Sequence, residues 1–234
     1  MSRRDKGARL HIIVEGQTEE TFIREIIRPY LYQYGISTHW HVIINSSHKN
    51  RVYRGGVSSG TYGRLRADIF RLIHNSVCVT TMFDLYGLPG NFPGSEQALL
   101  ELDPYKKVSI IENAIASDID SNLFIPFITL HEFESLLFSD IKKIDEVMRV
   151  HGKSKIEELR AIRDEYHNPE QINSHPISSP SHRLKQIYPG YQKISDGILI
   201  AHRIHLSRMR NSCRHFDSWM HKLESIRRHR NRNE

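Results

Sequence analysis

The stretch Leu10-His11-Ile12-Ile13-Val14-Glu15-Gly16-Gln17-Thr18-Glu19-Glu20-Thr21-Phe22 decides how the rest of the chain is read. Leu10 to Val14 is a short apolar run rich in β-branched residues, the pattern of a strand covered on both faces. Gly16 lets the chain turn sharply. Thr18 is a candidate N-cap, and Glu19 and Glu20 suit the positive end of a helix. Glu15 then stands at the carboxyl end of a strand, where ligands bind in open α/β sheets. Glu19, four residues on, is placed to share whatever Glu15 binds. The plainer reading makes Glu19 and Glu20 helix-start acids and Glu15 a solvated turn residue.

The same logic recurs twice. Val77 to Phe83 is a second near-continuous apolar run, read as a central parallel strand, and it ends in Asp84 followed by Leu85-Tyr86-Gly87-Leu88-Pro89-Gly90. Leu123 to Leu130 is a third, with Pro126 arguing for an edge or irregular strand because proline cannot donate to a ladder. It runs into His131-Glu132-Phe133-Glu134. In a regular helix Glu132 and Glu134 would not face one point, so one reads as a ligand and the other as a cap or ion-pair residue.

Between these runs lie helical patterns. Thr18 to Tyr34 carries an apolar stripe that Pro29 should kink or break. Ser37 to Ile44 reads as a strand projecting His39 and His41 from one face, as surface imidazoles or as a metal-ligand pair. Asn45 to Gly63 reads as a polar loop whose glycines, Arg51 and Arg54 suit a phosphate backbone or plain solvent. Tyr62 to Ile73 reads as a helix with Arg64 off its apolar face. Ser95 and Asp103-Pro104 mark further helix starts. Beyond Asp140 the pattern is helical: Ile141 to Val150, Lys153 to Tyr166, a basic turn or helix at Ser181 to Lys185, and Ile194 to Met209. A last helix is capped by Asp217 and followed by the basic tail Arg227 to Arg232.

Alternation of strand and helix predicts a doubly wound, mostly parallel α/β sheet flanked by helices over residues 8–140, with a helical extension over 141–234. The hydrophobic content of 38% and charged content of 26% suit a globular core. The formal net charge of +6 favours a polyanionic partner such as nucleic acid. Two cysteines supply no disulfide framework and no four-thiol zinc site, and Cys78 reads as merely buried. The polar start Met1 to Lys6 lacks a signal-peptide core, and no apolar run is long enough for a membrane, so a cytoplasmic place is expected.

Three acidic clusters therefore end three successive strands: Glu15 with Glu19, Asp84, and Glu132 with Glu134. Carboxylates gathered at one rim repel each other unless a cation sits among them. All-oxygen donors favour Mg²⁺ or Mn²⁺ over zinc. Such a site on a basic protein suits phosphodiester chemistry, with Arg54, Arg64, Lys185 or Lys193 set against the developing charge. The plainer alternative makes the acids helix caps and surface ion-pair partners.

Val14-Glu15-Gly16, with the acid-terminated strand at Phe83-Asp84, resembles a Toprim domain, the metal-binding fold of topoisomerases, primases and overcoming-lysogenization-defect (OLD) nucleases. Val14 to Glu19, Phe83 to Pro89 and His131 to Phe138 resemble more closely a bacterial Toprim-like family, domain of unknown function 4276. The resemblance covers roughly residues 8 to 140, and Ser178 to His205 more weakly. It implies a Mg²⁺- or Mn²⁺-dependent nuclease of DNA or RNA, acting in phage defence beside an ABC- or AAA-type ATPase partner. It implies Glu15 as the first Toprim acid, Glu19 as a further metal ligand, and Asp84 as the first acid of Asp-x-Asp. Tyr86 stands where the second acid of that motif belongs, leaving Glu132 or Glu134 to substitute. It also implies an assisting lysine, assigned to Lys185 with Lys193 second; Arg54, Arg64 and Lys193 are assigned to nucleic-acid contact. The Asp-x-Tyr departure also fits a catalytically silent, regulatory or nucleic-acid-binding subunit of an ATPase complex.

Overall fold

The structure is a computed structural model and describes residues 8–48, 51–54, 61–74, 78–149, 152–172 and 178–230, with the side chains of 44–48, 51–54 and 227–230 outside the description. Its main sheet has the order β2 (Ile36–Val42), β1 (Ala8–Val14), β5 (Cys78–Asp84) and β6 (Phe124–Ile125), and β7 (Ile128–Thr129) also pairs with β5. All of these pairings are parallel. The sheet is therefore of the α/β type predicted, and the strands deliver Glu15, Asp84 and Leu130-His131-Glu132 to one rim.

The two faces of the sheet are covered by different helices. Leu10, Ile12, Val14, Cys78 and Met82 pack into one buried cluster with Phe22, Phe133, Leu137, Ile198, Phe216 and Trp219. Ile13, Val79 and Phe83 point the other way, as a two-residue period demands, and pack with Leu65, Ile69, Ile111 and Ile115. Those last four lie on α3 (Thr61–Ile73) and α5 (Pro104–Ile119). The C-terminal helices thus share a core with the sheet, and Trp219 donates from Nε1 to Thr80 Oγ1 at 2.9 Å.

Local structure departs from the sequence reading in instructive places. The first helix opens at Gln17 as α1 (Gln17–Phe22), with Gly16 at the N-cap and no side-chain cap, so Thr18 does not cap it. Gly16 has φ −153° and ψ −168°, ordinary extended backbone, so a sharp turn is not what the glycine supplies. Pro29 neither ends nor breaks the helix. A π-helical segment (Ile23–Ile27) precedes α2 (Arg28–Tyr32), giving the proline ring room in place of a lost hydrogen bond. The expected loop after Ile44 contains an antiparallel pair, β3 (Ile44–His48) with β4 (Arg51–Arg54).

Pro126 splits the third apolar run into β6 and β7. The side chain of Thr81 mends the gap: Oγ1 accepts the Phe127 N–H at 2.9 Å and lies 3.0 Å from the Phe127 carbonyl. Beyond α4 (Ser95–Leu99), Asp103 caps α5 by accepting the Tyr105 N–H at 2.9 Å. The extension comprises α6 (Ile141–Met148), α7 (Ile156–Asp164), α8 (Pro180–Ile187), α9 (Ser195–Ile204), α10 (Leu206–Ser212) and α11 (Arg214–Arg230). The long helix expected across Ile194 to Met209 is interrupted at His205, which has φ +66°. α11 begins ahead of Asp217, so that residue is no N-cap; it takes a hydrogen bond from Arg210 Nε at 2.6 Å. Among the described residues no helix is long and apolar enough to cross a membrane.

Candidate metal and nucleic-acid site

Glu15 follows β1 directly and turns toward β5, where one of its oxygens accepts the Asp84 backbone N–H at 3.3 Å. Glu19 sits one turn into α1 and is buried. A Cβ on Gly16 would stand 3.3 Å from Glu19 Oε2, and one on Gly87 would stand 3.6 Å from Glu15 Oε1. Space beside the carboxylate is therefore what Gly16 provides.

The third motif is neither strand nor α-helix. Glu132 is extended (φ −140°, ψ 158°), and a 3₁₀ segment, Phe133–Ser139, follows with every residue buried. Changing conformation between Glu132 and Glu134 lets both acids lie inside. Glu132 accepts the Ser181 N–H at 3.0 Å, at the N-terminus of α8, where a carboxylate is favoured. Glu134 meets Lys193: Nζ donates to Oε2 at 3.3 Å and stands 3.2 Å from Oε1.

The electrostatics tie these groups together. Burial pushes the Asp84 carboxyl well above the usual carboxylate range, and the charges of Glu19, Glu15, Glu134 and Glu132 push it further. Burial also raises Glu15, against the pull of the Asp84 N–H and Lys193, and Glu132 adds to the rise. Glu19 is raised by burial first, with Glu15 adding and Lys193 opposing. Glu134 is driven by burial up to about 7 in spite of Lys193. Burial would lower the Lys193 ammonium, yet Glu134, Glu132 and Asp84 hold it above its ordinary value. The charges of Glu15, Glu19, Glu132 and Glu134 thus all act on Asp84, and those of Glu134, Glu132 and Asp84 act on Lys193.

Their fit to a divalent ion has two sides. The donors are all carboxylate oxygens, and Asp84 Oδ1 is buried with no hydrogen-bond partner, as an oxygen reserved for a cation would be. Among the described residues, however, no three His, Cys, Asp or Glu side chains already stand in the arrangement of a metal site. The donor chemistry suits Mg²⁺ or Mn²⁺, and the carboxylates would have to draw in to bind it.

The cations from the sequence fall in different places. Lys193, assigned to nucleic-acid contact, lies among the acids. Lys185 is exposed in the last turn of α8. Arg64 lines a cavity of about 770 Å³ with His41, Asp68 and Arg71, whose Val42–Ile43 wall adjoins the site through the Ile43 N–H to Val14 carbonyl bond at 3.0 Å. Arg54 lies on β4, its side chain outside the described residues. Tyr86 is exposed on the rim beyond Asp84.

His39 and His41 do not stand alone. His11 on β1 pairs across the sheet with His39, and its Nδ1 lies 2.7 Å from His41 Nε2. At that distance the two rings share one N–H, an imidazole hydrogen bond. Burial first, then the charges of His41, His39 and Arg9, lower the His11 imidazole to about 4. His11 escaped the sequence reading because it sits inside an apolar run; the parallel register is what brings it beside the other two.

A family model described as domain of unknown function (DUF4276) matches residues 14–224, spanning both the strand-end acids and the turn between α8 and α9 that supplies Lys193. No curated protein and no solved structure matches the chain.

Proposed function

The chain belongs to the DUF4276 family, and we propose that it is a divalent-metal-dependent nuclease, similar in site to Toprim and OLD-type enzymes. The observation that carries this reading is the gathering of Glu15, Glu19, Asp84, Glu132 and Glu134 around Lys193 at the carboxyl ends of parallel strands. These five acids would hold Mg²⁺ or Mn²⁺. The ion would supply activation of water and neutralisation of charge for phosphodiester hydrolysis.

The chain's own groups do the rest. Glu132 is fixed by the α8 N-terminus and Glu15 by the Asp84 N–H, which holds two donors in place before a substrate arrives. The half-buried Lys193 is placed to meet a phosphate oxygen once an ion takes over its partner Glu134. The cavity bearing Arg64, where Arg71 is paired with Asp68, adjoins β2 and would carry the backbone of DNA or RNA past the rim.

Incubation of the full chain with plasmid or RNA, with and without Mn²⁺, tests this. Cleavage that requires the metal and disappears in both Glu15→Gln and Asp84→Asn supports it; cleavage surviving in both variants rejects it. The exposed Tyr86 favours a second reading, a silent subunit that acts with an ATPase in phage defence, since the resembled motif has an acid there. Inactivity under every metal condition, together with stable ATPase binding, would select it.

A further inference from the structure

On the opposite flank of the same rim lies a cavity of about 350 Å³, lined by Leu85, Pro104, Lys107, His131, Tyr166 and Gln171, with Leu102 also on its wall. Leu85 follows Asp84, and His131 precedes Glu132. Asp84 (φ −83°, ψ 130°) and Glu132 (φ −140°, ψ 158°) are extended, so successive side chains point to opposite sides. Leu85 accordingly packs with the cluster of Ile13, Val79 and Phe83, on the other face of the sheet from the cluster that holds α9. A rim one backbone thick separates the acids from the cavity, closed by the Tyr86 N–H to His131 carbonyl bond at 3.4 Å.

We propose that this cavity receives a nucleobase of a strand whose phosphates lie at the acids. The inference rests on the nucleic-acid reading above and adds a base subsite to it. Tyr166 offers an aromatic face, with Leu85, Pro104 and the buried His131 as walls, while the Gln171 amide nitrogen can donate and its oxygen, which accepts from Asn168 Nδ2 at 3.4 Å, has a second lone pair, the chemistry of a base face and a base edge. Lys107 adds a cation for the attached phosphate. The volume lies within the range of small-ligand pockets. Leu102 is 94% exposed at the wall, apolar surface that a ring in the cavity would cover.

The test reads binding without cleavage. The full chain with Ca²⁺, a hard ion that takes oxygen ligands, in place of Mg²⁺ or Mn²⁺ is titrated by fluorescence anisotropy with labelled hexanucleotides of one base each and with an abasic hexamer of equal charge, all checked to remain uncut. Base-bearing hexamers should bind at least tenfold more tightly than the abasic one, with a preference among bases. Tyr166→Leu and Gln171→Ala should remove that advantage and leave the abasic affinity unchanged. Equal affinity for the abasic hexamer, equal weakening of both ligands in the variants, or no binding of any hexamer or nucleoside monophosphate overturns the proposal. Binding of nucleoside monophosphates alone, lost in both variants, would keep the base and assign it to a free nucleotide. Base preference without metal-dependent cleavage removes the nuclease reading and leaves the pocket; cleavage without base preference removes only the pocket.

Discussion

Two kinds of buried acid stand in this molecule, and their surroundings differ in kind. Glu170 accepts the backbone N–H groups of His215 at 3.0 Å and Phe216 at 2.9 Å, and the Tyr105 hydroxyl at 3.0 Å. It closes the N-terminus of α11 from a distant 3₁₀ segment, Pro169–Gln171. Asp145 accepts from Lys155 N–H, Ser154 and Tyr188 within 2.9 Å. Burial pushes its carboxyl up, but these donors outweigh burial and hold it below the usual range. At the rim, Asp84 has an oxygen with no partner, and its carboxyl is driven up. A fold that satisfies Glu170 and Asp145 with neutral donors leaves Asp84 under-satisfied, which supports the metal site proposed above.

The contrast is broken most severely by exchanging charge at the rim. Asp84→Asn removes a charge that four neighbouring acids disfavour, so folding should be retained and the thermal midpoint held or raised. Mn²⁺-dependent cleavage should fall by about a hundred- to a thousandfold, the usual scale for losing a group that stabilises developing charge. Turnover within tenfold of the wild type, or a collapsed thermal midpoint, would place Asp84 with the structural acids.

Glu170→Ala should do the reverse. It leaves buried N–H groups at the α11 start unpaired, at a cost of about 2–3 kcal/mol in urea denaturation. Mn²⁺ affinity at the rim should stay the same. A loss below about 0.5 kcal/mol would show that water replaces the carboxylate at no cost.

Protonation sharpens the comparison next. Glu134 is raised from 4.5 to about 7 in the metal-free protein. Its contribution to stability is therefore complete below about pH 4.5 and is lost as pH rises through about 7. The half-buried His11 and the buried His131, both lowered to about 4, act in the opposite sense over an overlapping range, so the readout must be local. The Glu134 carboxyl carbon, followed by ¹³C NMR, should titrate near 7, and its midpoint should drop sharply on addition of the diamagnetic ion Mg²⁺. Lys193→Met should raise its midpoint by about one unit, because an opposing charge is removed. An unchanged midpoint in that variant would mean the ion pair carries no weight.

The strand-end acids were legible because each ends an apolar run, and hydrophobic patterning survives folding. Parallel pairing, which puts those ends on one rim, followed from the alternation of strand and helix. What escaped was set by distant partners. Lys193 over Lys185 depends on how α9 docks, which no local pattern records. The tolerance of Pro29 depends on a π-helical segment, and the mending of the Pro126 gap on a threonine two strands' worth of sequence away. Glu170 carried no motif at all; its role exists only once α11 is in place. Thr18 and Asp217 were plausible caps, but Gly16 and the remote Glu170 hold those positions.

The smallest effect separates two glycines that look alike in sequence. Gly16→Ala keeps an ordinary extended backbone, yet its Cβ would press on Glu19 Oε2 at 3.3 Å, tighter than normal contact. Gly87→Ala would meet Glu15 Oε1 at 3.6 Å, an ordinary contact. Both substitutions reduce the freedom of the unfolded chain, so stability should rise by about 0.4–1 kcal/mol at most for Gly87→Ala, while Gly16→Ala should stay level or fall because alanine is the poorer N-cap. Mn²⁺ affinity measured by calorimetry should then fall about threefold for Gly16→Ala and hold for Gly87→Ala, a difference of about 0.6 kcal/mol. Equal affinities would mean that Glu19 is not a ligand, and that the acid beside the first helix start belongs with Glu170 and Asp145 rather than with Asp84.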